Sequence, residues 1–590
     1  MIGRWISWLT IGLSVGLILL TSAWLFAEKC WAQWTPLSPE DAFIHGTIGL
    51  ETFALKYAAV MQDLSHESFF AEGANGSVWA DYGFLLPDDI PAKTCTSNVA
   101  DWAPVGIGVS SFVQAKAFQT STKFAGLTCA ACHSARLRLP DGSQTPVIHG
   151  MGNQELDVIA WPDGVKNAML DLGLTTDAIL SAYDAQCAEF DEANGQGGGV
   201  IQSLIDRIII SAWLGGIKSV IAGDLSRYDL PFDNAELRDE IAIPAGPGRT
   251  RPFRSTVRVS LNLPGADNFV LSKIPVVWEQ REDLRPASQY DGSIRTPITR
   301  SLIAAYVSGA TPLALSKPEI AHNVRAAAKY TEGLGSGDGV VPRFAVYFEM
   351  SDQADIEAGF QVYMEHCNDC HGHRLLDGGE WSNAGAALIH QRIPVEKLGT
   401  DPERLTFRYA QMVPLALQTD FPGVGEDLVE QVRLLEERAA SARAEQRPAE
   451  AYFWLQQLDR LNKLSREYRL GHGFYFGTDD LTAETGYFNN PIPGAWLRAP
   501  YLHNASVPTM AQLINLSPRP DQFCRGNAPY DPVQMGYVAP TGDCPPDIAF
   551  SFDINAKGNS NAGHDYPWGY DDPARDPEKL RQLLAYLKTL

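Results

Sequence analysis

The chain is 590 residues long, 45% hydrophobic and 20% charged, which past a leader leaves enough material for two large domains. Lys and Arg number 47 against 70 Asp and Glu, giving a net charge of -23. That balance excludes nucleic acid and an anionic membrane surface as partners, because both repel an acidic protein.

The first element is an uncharged run from Trp5 to Ala27, preceded by Arg4. It is longer than the usual hydrophobic region of a secretory signal and long enough to span a bilayer. Residues 1–33 therefore read as a signal peptide cleaved after Ala32 or as a retained membrane anchor. Both place the rest of the chain outside the cytoplasm. Glu28 and Lys29 speak against lipid attachment at Cys30.

Two Cys-x-x-Cys-His motifs follow, Cys129-Ala-Ala-Cys132-His133 and Cys367-Asn-Asp-Cys370-His371. Each is the covalent attachment signature of c-type haem. Two thiols at this spacing add to the two vinyl groups, and the adjacent histidine sits beneath the iron as proximal ligand. A four-cysteine zinc site would leave His133 and His371 unexplained, and a dithiol redox pair calls for a single copy. The expectation is two covalent c-type haems with His133 and His371 on the irons. The location is then the periplasm or the extracytoplasmic face of a bacterial membrane, where such haem is attached. Of the remaining cysteines, Cys95 and Cys187 surround the first motif and Cys524 and Cys544 lie late in the chain. An oxidising compartment favours two disulfides, one in each half; buried free thiols are the other reading.

The first haem domain, with an N-terminal extension, is expected over 34–340, ending at the turn-rich stretch Gly335-Ser-Gly-Asp-Gly339. The second is expected over 341–590. Ile356, Phe360, Tyr363 and Met364 recur at helical spacing and predict a helix over 355–366 that runs into Cys367, as in a cytochrome c. Pro577 and the apolar stripe Leu580, Leu583, Leu584 and Leu587 predict a terminal helix over 576–590. A charged, alanine-rich segment over 425–469, interrupted at Pro448, reads as a two-helix insertion. Elsewhere Gly, Pro and aromatics predict long loops. The expected fold is mainly α, two cytochrome c-like haem domains with long loops and a helical insertion, and little β.

Further segments carry a family likeness. They are Pro104-Val-Gly-Ile107, Ile148-His-Gly150, Asp291-Gly-Ser-Ile-Arg-Thr-Pro297 with Arg300, and Gly494-Ala-Trp-Leu-Arg-Ala-Pro-Tyr-Leu-His-Asn504 leading into Ser506-Val-Pro-Thr509. Near the end comes Gly558-Asn-Ser-Asn-Ala-Gly-His564. With the two motifs, this arrangement resembles the di-haem c-type cytochromes grouped with the rubber-cleaving di-haem oxygenases. Those are relatives of the bacterial di-haem cytochrome c peroxidases and of the tryptophylquinone-forming di-haem enzymes. The resemblance covers most of the chain beyond the first hundred residues.

The resemblance implies a division of labour: one haem is six-coordinate and passes electrons, and the other keeps a position open to dioxygen or peroxide. By that pattern His564 holds the second haem from the side opposite His371. His503 is the competitor for that place, though beside Pro500 and Tyr501 it reads as a structural histidine that orients its surroundings, and Met412, Met510 and Met535 are the further alternatives. No second ligand stands out for the first haem. His149 and Met151 fall in what reads as pocket wall and His322 opens a surface helix, so an open distal side is expected there. In the related oxygenases aromatic residues line that side; Trp278 and Tyr290 lie in the matching region, with core packing as their competing role. Arg295 and Arg300 are candidates for charge at the haem propionates or in the pocket. The catalytic candidates near the first haem are therefore Trp278, Tyr290 and Arg300.

The functional expectation is an extracytoplasmic di-haem oxidoreductase, peroxidase-like or oxygenase-like. Its second haem exchanges electrons with a soluble or membrane-bound carrier. Its first haem activates peroxide or dioxygen, beside an organic substrate in the oxygenase case. A di-haem electron-transfer cytochrome without turnover is the alternative.

Overall fold

In the computed structural model the chain is described, short gaps aside, over residues 35–64, 78–86, 103–228, 244–250, 271–405, 437–455 and 486–590. The segment 1–33, Cys95, Arg295, Met412 and most of the 425–469 insertion lie outside the described residues. Within the insertion, residues 437–444 are helical. No helix among the described residues is long and apolar enough to cross a membrane.

The expectation of a mainly helical fold does not hold. Of the interpretable residues 40% are helical and 15% are in strands, so the architecture is mixed. Helix α1 (Pro39–His45) leads into an antiparallel sheet of β1 (Thr47–Ala54), β2 (Ile107–Val113) and β3 (Phe118–Thr128), with β3 in the middle. Register shifts interrupt β1 against β3 around Glu51, and β2 against β3 between Ser110 and Phe112. Such irregularities break the two-residue alternation by which a strand is recognised. These stretches therefore read as glycine- and aromatic-rich loop in the sequence.

Strand β3 delivers the chain directly to the first motif. Thr128 Oγ1 accepts from Ala130 N at 3.2 Å and donates to Ile44 O at 3.0 Å. It thereby caps the short helix α2 (Cys129–His133) and ties it to the end of α1. Behind it β4 (Ser134–Ala135) pairs with β5 (Ile148–His149). Helices α3 (Ala160–Leu170), α4 (Thr176–Ala193), α5 (Val200–Tyr228), α6 (Pro297–Val307) and α7 (Pro318–Gly333) share one core with the sheet. Phe124, Trp161, Trp213, Leu302 and Ile320 are buried in it.

A second core draws on both sides of residue 340: Ala135, Ile148 and Trp278 pack in one cluster with Tyr363, Trp496 and Leu583. Its frame is a helix crossing. Helix α8 (Gln353–His366) runs into α9 (Asn368–His371), and the terminal helix α10 (Pro577–Leu587) crosses α8 at Gly359. A Cβ at Gly359 would stand 1.9 Å from the Gln582 carbonyl oxygen, so only glycine permits this approach. Tyr586 meets Phe360 and Tyr363 at 5.3 and 5.0 Å between ring centres. Leu580, Leu583, Leu584 and Leu587 of α10 are all buried, each side chain contributing roughly 1.5–3 kcal/mol. Asp576 accepts from Glu578 N and Lys579 N and starts α10 beside Pro577.

Cys524 and Cys544 form a disulfide, and Cys187 is also disulfide-bonded. None of the four motif cysteines is in a disulfide.

Candidate haem centres

The two Cys-x-x-Cys-His helices are built alike. In α2 the His133 Nδ1 lies 3.0 Å from the Pro275 carbonyl oxygen, and in α9 the His371 Nδ1 lies 3.0 Å from the Asn490 carbonyl oxygen. A carbonyl only accepts, so each Nδ1 carries the proton and each Nε2 is left with a free lone pair. This is how proteins prepare an imidazole for a metal. Burial, opposed by that hydrogen bond, pushes the His133 pKa down to about 4 and lowers that of His371. Both rings are neutral at pH 7, as a ligand must be. Burial also pushes the thiols of Cys129, Cys132 and Cys367 up to about 12 and raises that of Cys370.

Opposite His371 stands His564, with ring centres 6.3 Å apart and planes 32° from parallel. Two metal–imidazole bonds of about 2.0 Å each, with about 1.2 Å from nitrogen to ring centre, span roughly 6.4 Å. The gap fits one iron. Sequence-distant groups hold His564 there. Its backbone N donates to Leu398 O at 2.9 Å, and Arg519 Nη1 donates to Gly563 O at 2.8 Å. A Cβ on Gly563 would come within 2.3 Å of Thr400 N. Burial first, then the charges of His371 and Arg519, push the His564 pKa down to about 4. Its Nδ1 is buried and has no hydrogen-bond partner among the described residues.

The other ligand candidates are engaged elsewhere. His503 Nε2 lies 3.0 Å from the Tyr487 hydroxyl, which spends its proton on Asp401 O at 2.6 Å, so His503 is the donor in that pair. Burial, then Arg404 and Lys273, push its pKa down to about 3. Met510 and Met535 are buried in the second core. His149 Nδ1 contacts Ser134 Oγ at 2.9 Å, His322 Nε2 contacts Leu37 O at 2.9 Å, and Met151 is 1% exposed in the second core. Among the described residues no histidine ring faces His133 as His564 faces His371.

A cavity of about 350 Å³ lies at the second centre. Cys367, Cys370, His371 and His564 line it together with Arg300 and Pro275, whose carbonyl accepts from His133; Cys129, Cys132 and His133 are not among its lining residues. Tyr290 and Arg300 of the catalytic candidates line it; Trp278 is not part of its wall. The Trp278 ring is 1% exposed and donates through Nε1 to His149 O at 3.0 Å, a core position. Tyr290 reaches Lys273 O with its hydroxyl at 3.4 Å, and Arg300 reaches Thr331 Oγ1 at 3.4 Å.

Lys273, Arg285, Arg300 and Arg498 line the cavity, and among the described residues no Asp or Glu does. A wall of cations without carboxylates suits an anionic occupant, and haem brings two propionates. Burial lowers the Lys273 pKa to about 7 and those of Arg300 and Arg498 to about 9. Paired thiols, primed imidazoles, an iron-sized gap and a cationic wall therefore all fit c-type haem. Sequence reasoning missed Lys273, Arg285 and the Pro275 and Asn490 carbonyls. Arg498 lay in a quoted segment without being given a role.

Residues 486–524 match the family described as RoxA-like, cytochrome c-like. This stretch supplies the Asn490 carbonyl, Arg498 and His503, and the chain is similar there to RoxA-like cytochromes. A cytochrome c-like domain implies covalently bound c-type haem and usually works outside the cytoplasm. Two proteins of Sinorhizobium fredii are similar over long stretches. Uncharacterized protein y4iJ is 26% identical over 504 residues, 79% of this chain and 76% of its own. Uncharacterized protein y4iM is 27% identical over 365 residues, 58% of this chain and 71% of its own.

Proposed function

We propose that the chain is an extracytoplasmic di-haem c-type oxidoreductase in which the second haem relays electrons and the first activates peroxide or dioxygen. The observation that carries this reading is the difference between the two centres. His371 faces His564 across an iron-sized gap, whereas among the described residues His133 faces no second imidazole. A haem with two imidazole ligands supplies electron transfer, and one with a free position supplies small-molecule activation.

The chain's own groups set up both. Pro275 O and Asn490 O hold the two rings by their Nδ1 protons, so that each Nε2 would be free to bind an iron. The cationic wall compensates propionate charge in a buried space. The Cys524–Cys544 disulfide fits an oxidising compartment. The partner for the second haem is a soluble or membrane-bound electron carrier.

The test is a haem stain on a denaturing gel, with a haem count per chain, on protein made in a host that attaches c-type haem. Two haems are expected. One is expected after Cys129→Ala/Cys132→Ala and one after Cys367→Ala/Cys370→Ala. A colourless unmodified chain overturns the reading. On the di-haem protein, carbon monoxide or cyanide should change the spectrum of the first haem. Binding at neither iron overturns the catalytic part and leaves an electron relay.

A further inference from the structure

The two motif histidines each lean on a backbone carbonyl, and one side chain ties the segments that carry those carbonyls together. Lys273 lies two residues before Pro275, whose carbonyl takes the His133 Nδ1 proton at 3.0 Å. Its Nζ donates to Arg498 O at 2.5 Å and to Pro500 O at 2.7 Å, and its backbone N donates to His503 O at 2.8 Å. One residue thus holds three carbonyls of the turn 498–503.

That turn is fastened to the second motif. Arg498 Nε and Nη2 donate to Pro493 O at 3.0 and 2.8 Å, and Arg498 N donates to Ala495 O at 3.2 Å. Three residues before Pro493, Asn490 O takes the His371 Nδ1 proton at 3.0 Å. The other end is fastened to the first motif. His133 O accepts from Gly150 N at 2.7 Å, and Gly150 O accepts from Val277 N at 2.8 Å. Hydrogen bonds and short backbone stretches therefore run without a break from the His133 ring through Pro275, Lys273, Arg498, Pro493 and Asn490 to the His371 ring. Lys273 is the middle link.

A lysine in this place needs a reason, because taking an ammonium out of water is costly and Lys273 is only 9% exposed. An apolar side chain would fill the space without that cost. What the amine adds is a pair of donors that reach two carbonyls at once. Burial lowers its pKa to about 7, yet a neutral amine still has two N–H groups, so both bonds form with or without the charge. The contribution is geometric.

We infer that Lys273 is a positioning residue for both motif histidines, clamping the segment that carries the Pro275 carbonyl to the turn fastened to Asn490. The inference rests on the di-haem reading above. Without the clamp both carbonyls gain freedom, and both Nδ1 hydrogen bonds open more often.

The test is hydrogen–deuterium exchange of the two Nδ1 protons, read from their iron-shifted proton NMR signals on the full chain carrying both haems. Lys273→Met should speed exchange at His133 and at His371 about tenfold, while the backbone amides of α10 keep their protection. A general loosening of the fold would speed those amides as well. Lys273→Gln, whose N–H donors reach less far, should speed both Nδ1 protons by a smaller factor, and it carries the test if the methionine variant does not fold. The control is Lys218→Met. Lys218 Nζ donates to Asp171 O and Leu174 O at 3.3 and 2.9 Å, a bridge of the same chemistry that joins α5 to the end of α3. Its loss should leave both Nδ1 protons as they are. Acceleration at one histidine only, at neither, or at the α10 amides alike overturns the inference, as does an equal effect of Lys218→Met. Fewer than two haems per unmodified chain refutes the di-haem reading itself; two haems with unchanged Nδ1 exchange refute only the role of Lys273.

Discussion

The imidazoles of His371 and His564, 193 positions apart in the chain, face each other with ring centres 6.3 Å apart. His564 takes a positive φ of 58°, a backbone conformation that glycine adopts at no cost. His564→Gly should therefore fold and open one face of the second iron. Carbon monoxide or cyanide should then alter the spectrum of the second haem, and added imidazole should restore it. An unaltered second-haem spectrum in His564→Gly would remove His564 from the iron.

The crossing of α8 and α10 predicts a steric effect. Gly359→Ala places a methyl group 1.9 Å from the Gln582 carbonyl oxygen. The helices must move apart, at a cost of about 1–3 kcal/mol as for other overpacked cores. The urea midpoint should fall accordingly, and absorption of the second haem should change before that of the first. Gly215→Ala in α5, where an added Cβ meets nothing within 4 Å, is the control and should not lower the midpoint.

His503 predicts an acid sensitivity. Burial holds its folded pKa at about 3, below an unfolded value of about 6.5. Between those limits the unfolded chain binds a proton that the folded chain does not, so stability is full above pH 6.5 and falls as pH drops towards 3. One such proton gives a slope of at most about 1.4 kcal/mol per pH unit. In His503→Gln the loss of stability between pH 7 and pH 4, read from urea midpoints, should be smaller than in the unmodified protein. Equal losses would show that His503 does not set the acid limb.

The Cys524–Cys544 disulfide closes a loop with a sequence separation of 20. Loop-closure entropy puts its contribution at about 3 kcal/mol. Cys524→Ala/Cys544→Ala should unfold at lower urea concentration by that amount. The strand pair Gln522–Arg525 with Phe550–Asp553 beside it should lose amide protection first.

Local chemistry was legible in the sequence. In the proposed reading the cysteine spacing points to haem attachment because thiol and imidazole must meet one ring within a single helical turn, so Cys129, Cys132 and His133, and their counterparts at Cys367, are read from adjacent letters. The helices at Gln353–His366 and Pro577–Leu587 followed from apolar spacing, because a helix repeats within four residues. The strands around β3 were not legible, since bulges near Glu51 and Ser110 break their alternation.

What only the tertiary structure decided is everything that depends on groups far apart in the chain. Carbonyls at Pro275 and Asn490 that fix the two histidines carry no side-chain signature, since every residue has one. The cationic wall of Lys273, Arg285, Arg300 and Arg498 comes from segments more than 200 residues apart, and an arginine read in isolation belongs by default to the surface. The sequence by itself determined which thiols and imidazoles stand together at each motif, because that spacing is local. Only the fold decided which side chains face one another across the cavity, because burial brings distant segments together and removes the water that would otherwise screen their charges.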